Sequence, residues 1–68
     1  MEQNWEYETE SDTYLFGTPQ LGAGVFKERK GWTGNVVAAE TVMLTYFPTK
    51  EEAMDEAERV FKRLCSVN

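Results

Sequence analysis

Hydrophobic and polar positions alternate strictly at the start of this chain. From Asn4 to Glu10, Trp5, Tyr7 and Thr9 take one parity, and Glu6, Glu8 and Glu10 take the other. Period two with β-favouring residues on one side predicts a half-buried strand with a glutamate row facing solvent. Ser11-Asp12 reads as a turn, and Thr13–Phe16 as a second short apolar stretch stopped by Gly17-Thr18-Pro19. Gly22–Lys30 and Trp32–Glu40 read as two strands joined near Lys30-Gly31, where glycine supplies the positive φ of a tight connection. Val42–Phe47 follows Glu40-Thr41 as the next strand, and Pro48 ends its ladder.

The period then changes. Ala53, Ala57, Val60, Phe61 and Leu64 recur at helical spacing, with Met54 at the edge of the stripe. Thr49 is a good N-cap, and Glu52 stands at the capping-box position. Glu51, Glu52, Asp55, Glu56, Glu58, Arg59, Lys62 and Arg63 fill the other face, acids early and bases late, as the helix dipole favours. Asp55/Arg59 and Glu58/Lys62 are spaced as i,i+4 pairs. The expected fold is α+β: one domain over 1–68, with four or five antiparallel strands within 4–47 and a helix over about 50–64.

One helix covers one face of such a sheet. If Met43, Thr45 and Phe47 face it, then Val42, Leu44 and Tyr46 face away. That second face is either an apolar patch for a partner or is covered by Trp5, Tyr7, Tyr14, Leu15 and Phe16 of the N-terminal segment.

Size and composition narrow the function. A chain of 68 residues is one domain of marginal stability. Two tryptophans, three tyrosines and four phenylalanines supply large buried area per residue. With no histidine and one cysteine, neither an internal disulfide nor a usual zinc site can be built in one chain. Cys65 has no histidine to activate it and lies at the negative end of the helix dipole, which raises a thiol pKa. Catalysis by carboxylates needs a sheltered pocket that a chain this small rarely encloses. The expectation is therefore no enzyme, no cofactor and no metal. The acidic start MEQNWEYETE has no signal-peptide character, and the longest aliphatic run, Val36–Ala39, is far too short to span a bilayer. A soluble, cytoplasmic chain without a membrane partner is the corresponding expectation.

The net charge of −5 weighs against generic phosphate binding and suits docking on a basic surface of a larger protein. Acids are concentrated at the two ends. Glu6, Glu8, Glu10 and Asp12 form one candidate partner-binding set, and Glu51, Glu52 and Asp55 extend it from the helix. Alternate strand residues stand about 6.6 Å apart, comparable to neighbouring phosphates, so the set could mimic nucleic acid. The bland alternative is a solvated strand face. Lys27, Arg29, Lys30 and Trp32 form a second candidate, a basic hairpin tip. Arg and Trp suit phosphate, base stacking or a protein hot spot, and a hairpin end of this kind is also simply soluble.

Residues 24–64 run Gly-Val-Phe-Lys-Glu-Arg-Lys-Gly-Trp, then Asn-Val-Val-Ala-Ala-Glu, then Leu-Thr-Tyr-Phe-Pro-Thr, before a helix opening Lys-Glu-Glu-Ala. This outline resembles the three-strand-plus-helix DNA-binding domains of plant ethylene-response factors and of the arm-binding part of tyrosine recombinases. The resemblance implies a sheet face entering the major groove, with Lys27, Arg29 and Trp32 as the matching residues. In size and charge the chain resembles small phage-encoded inhibitors of host machinery, including anti-CRISPR and antirestriction proteins. That resemblance implies a non-enzymatic inhibitor acting by protein–protein contact. It is the leading expectation, with nucleic-acid binding by the 24–47 sheet as the alternative and a homodimeric accessory protein as a third reading.

Overall fold

Five strand segments and one of helical period form the elements of the chain. A computed structural model describes residues 4–66; the remainder of the expected 1–68 domain lies outside the described residues. In chain order the elements are β1 (Glu6–Glu8), β2 (Thr13–Gly17), β3 (Gly22–Glu28), β4 (Gly31–Val37), β5 (Thr41–Phe47) and α1 (Lys50–Cys65). The architecture is α+β. All five strands pair antiparallel with their sequence neighbours, in the order β1-β2-β3-β4-β5, and α1 packs on one face, mainly across β3 and β4.

The connections follow from local chemistry. Asp12 takes a left-handed φ of 53° in the β1–β2 turn, a conformation aspartate tolerates. β1 is shorter than the alternation of residues 4–10 suggests, because Thr9 and Glu10 are used by that turn. At the β2–β3 turn, reciprocal backbone bonds between Thr18 and Leu21 (3.0 and 3.2 Å) close the loop. Gly17 stands there at φ 79°, and a Cβ would lie 2.3 Å from the Leu21 carbonyl oxygen, so only glycine fits. Arg29-Lys30 joins β3 to β4, with Gly31 at φ 145°, as expected for a tight connection.

The core lies between sheet and helix. Phe16, Ala23, Val25 and Val36 from the strands meet Ala53, Met54, Ala57 and Val60 from α1. Trp5, Tyr14, Trp32, Val42, Leu44, Phe47, Phe61 and Leu64 pack around this centre. Phe16 sits edge-on to both Trp5 (4.6 Å) and Phe61 (5.0 Å), an arrangement that aligns positive ring edges with negative faces. Thr49 Oγ1 accepts from the Glu52 backbone N–H at 3.2 Å, the expected N-cap. Ser66 closes the other end, its N–H donating to the Lys62 carbonyl at 3.0 Å.

Three details depart from the sequence pattern. Glu58, placed by the pattern on the solvent face, is buried and accepts a hydrogen bond from the Trp5 indole. Arg59 pairs with Glu56 at 3.3 Å, one turn position away from the expected Asp55. The third departure is the parity of β5. Val42 and Leu44 pack toward the core, and Met43 points away and is 56% exposed. The register explains it: Gly34 pairs with Leu44 but Trp32 pairs with Phe47, so β5 carries one extra residue there. Such a bulge reverses the alternation, which returns Phe47 to the core and leaves Tyr46 outside.

Candidate functional site

The face of the sheet opposite α1 is left uncovered. β1 and β2 extend the sheet sideways and do not fold over it: Trp5, Tyr14 and Phe16 join the helix side, while Leu15 points to the open side. Leu15, Met43 and Tyr46, three large exposed hydrophobics, stand on this open face, with half-buried Phe26 and Val37 beside them.

The open face is not flat. Gly22 and Gly24 present no side chain to it, and a hollow of about 410 Å³ opens over β2 and β3. Leu15, Pro19, Gly24, Phe26, Asn35 and Val37 line it. A Cβ at Gly24 would come within 3.0 Å of Leu15 Cδ2, so the glycine leaves room that the leucine partly uses. The Asn35 side chain borders the hollow, and its Oδ1 is buried without a hydrogen-bond partner. An unmade bond of that kind costs about 1–3 kcal/mol.

Carboxylates stand at two edges of the open face, while Lys30 lies over Tyr46 on it. Glu6 and Glu8 pair with Leu15 and Thr13 and so share the open face. Glu8 accepts from Ser11 Oγ. Glu28 lies at the other end, accepting from the buried Thr33 hydroxyl at 2.7 Å. The rest of the expected acidic array is elsewhere. Glu10 is in the β1–β2 turn, and Asp12 accepts from the Tyr7 hydroxyl, which raises the Tyr7 pKa above its usual 10.0 chiefly through that bond. Glu51, Glu52 and Asp55 are exposed on α1, with the sheet between them and Glu6/Glu8. The two acidic sets therefore do not form one surface.

The basic residues gather with aromatics at the hairpin end. Lys27 Nζ lies 5.8 Å from the Trp32 ring centre, and Lys30 Nζ lies 5.9 Å from that of Tyr46. Arg29 is exposed at the tip. Trp32 neighbours Tyr14 at 6.4 Å, and Lys50 donates to the Tyr14 hydroxyl at 2.9 Å, which raises the lysine pKa. Tyr14 and Lys50 are additions to the expected basic set; they come from β2 and α1 and join it only through the fold. The side-chain-free Gly22/Gly24 pair was the one sequence signal for the hollow, since alternate glycines in a strand bare one face.

Among the described residues no group of three His, Cys, Asp or Glu is placed to hold a metal ion, and no helix is long and apolar enough to cross a membrane. Cys65 is exposed and free. Neither a family model, nor a curated protein, nor a solved structure matches the chain.

Proposed function

We propose that this chain is a non-enzymatic binding protein that docks the open face of its sheet on a larger protein. The observation that carries this reading is the uncovered apolar face holding Leu15, Met43 and Tyr46, rimmed by Glu6, Glu8 and Glu28. The complementary partner surface is apolar at its centre and basic at its edge. The action available to such a module is occlusion, in the manner of the small inhibitors it resembles in size and charge.

A tagged chain exposed to a lysate of its natural host should capture one major protein. Leu15→Glu combined with Met43→Glu should abolish capture, because two charges then face an apolar surface. Glu51→Lys with Glu52→Lys, on the opposite side, should leave capture intact. The reverse pattern would move the docking surface to the helix.

Nucleic-acid binding is a second reading, favoured by the Tyr14–Trp32 pair flanked by Lys27 and Lys50. It predicts that a labelled oligonucleotide binds at low salt, that affinity falls steeply with salt, and that Lys27→Ala with Arg29→Ala removes it. No anisotropy change at low salt rejects it.

A further inference from the structure

The hollow on the open face is more specific than an apolar patch. Its volume, about 410 Å³, is at the small end of ligand sites, enough for one large side chain and its neighbours. Leu15, Phe26, Val37 and Pro19 give it a mainly apolar wall, to which Ser11, Thr13 and Thr18 add hydroxyl groups. Its floor is bared by Gly24. On its border, Asn35 carries a buried oxygen without a donor. The torsion that turns the amide is soft and broadly populated, so the group can offer its oxygen to an incoming N–H or O–H. Acids stand on either side, Glu6 and Glu8 near Leu15 and Glu28 near Phe26.

We infer that the hollow receives one anchor side chain of the partner protein: an aromatic ring bearing an N–H donor, a tryptophan indole, that donates to Asn35 Oδ1 and is flanked by basic residues. This rests on the docking reading given above and names its central contact. Three independent requirements converge on that occupant. The apolar walls select a large flat apolar group. The unpaired Asn35 oxygen selects a group with one donor, since an aliphatic anchor would leave the missing bond unmade. The carboxylate rim selects lysine or arginine as its neighbours. Tryptophan is also the residue type in which binding energy concentrates when a pocket excludes water.

The test uses the full chain with three probes: indole, 1-methylindole and a short Lys-Trp-Lys peptide. Titration is followed by ¹H–¹⁵N and methyl NMR. Indole should shift the methyl signals of Leu15 and Val37 and the Asn35 side-chain amide. 1-Methylindole, which keeps the ring but lacks the donor, should bind about fivefold more weakly, the ratio for one ordinary hydrogen bond. Asn35→Leu should remove that ratio, so that both probes bind alike. Gly24→Val should abolish binding of both by filling the floor. The peptide should bind more tightly than its Glu-Trp-Glu counterpart, and Glu6→Gln with Glu8→Gln should narrow the gap.

Indole shifts absent from the hollow overturn the inference, as does equal binding of indole and 1-methylindole by the native chain. Should Gly24→Val fail to fold, judged by circular dichroism, the Asn35→Leu comparison decides alone. If indole does not bind while Leu15→Glu with Met43→Glu still abolishes capture of the partner, the anchor falls and the docking reading stands. If those variants leave capture intact, both fall.

Discussion

At the scale of single residues, the chain ties its ends together through Trp5 and Glu58. A buried carboxylate is costly unless donors reach it. The Trp5 indole N–H supplies one across 53 positions of sequence, and its ring fills the space beside Phe16. Trp5→Phe keeps an aromatic ring and removes the donor. Hydrogen bonds to charged groups contribute about 1.5–3 kcal/mol, so this variant should be less stable by about that amount, read as a lower urea midpoint with an unchanged slope. Tyr7 and Asp12 make a different prediction. Ionising Tyr7 would break its bond to Asp12 and set two negative charges together, so its proton is held above the usual 10.0. Lys50 is likewise raised above 10.5 by donating to Tyr14. Both groups bind protons more tightly folded than unfolded. Their contribution is complete below the unfolded pKa values and is lost as pH rises through the folded ones. The urea midpoint should therefore fall as pH rises above about 10, and less steeply in Tyr7→Phe. An alkaline midpoint as steep in Tyr7→Phe as in the native chain would remove Tyr7 from the account.

At the scale of elements, the helix depends on local signals and the sheet on non-local ones. Thr49 satisfies the Glu52 N–H, so Thr49→Ala should cost about 1 kcal/mol, measured as a lowered thermal midpoint. Those same local signals made α1 legible: its cap and stripe are set by residues a few positions apart, and its observed end, Cys65, lies one residue beyond the expected Leu64. A sheet of four or five antiparallel strands was legible for the same reason, since every connection is a short turn between neighbours in sequence. What remained hidden required knowing the neighbours in space. Met43 faces outward in regular register with Asn35, and the bulge beyond Leu44 turns Phe47 inward; both are properties of the pairing of β5 with β4, which alternation within β5 alone does not reveal. The hollow exists because Gly24 pairs with both Leu15 and Asn35, which belong to different strands. Glu58 belongs to the charged stripe by spacing, and its burial beside the Trp5 indole joins residues far apart in sequence. The candidate site was accordingly half visible: Glu6, Glu8 and the basic hairpin were legible, whereas Leu15, Asn35 and Lys50 acquire their roles from partners far along the chain.

At the scale of the whole molecule, the charge distribution sets opposite salt dependences for folding and for docking. The chain carries twelve acids against seven bases in a body with a radius of gyration of 11.1 Å. That radius is close to the screening length at physiological salt, about 8 Å, so like charges across the molecule repel one another at low salt and are screened as salt rises. Net charge of this kind destabilises the compact state through self-repulsion. Glu56–Arg59 offsets little of it, because exposed pairs contribute at most about 1 kcal/mol. The free chain should therefore melt at a higher temperature as sodium chloride is raised from about 0.01 M to about 0.15 M. Docking should respond in the other direction. On the docking proposal, Glu6, Glu8 and Glu28 would attract a basic partner surface, and screening weakens such an attraction. The association rate should fall over the same salt range while the dissociation rate, governed by the apolar centre, changes little. Neutralising the rim with Glu6→Gln and Glu8→Gln should flatten the dependence of the association rate and also raise the low-salt melting temperature. Both effects come from one pair of substitutions and are read by two measurements, kinetics on the captured partner and thermal unfolding of the free chain. An association rate indifferent to salt would mean that the partner meets the open face through its apolar centre alone.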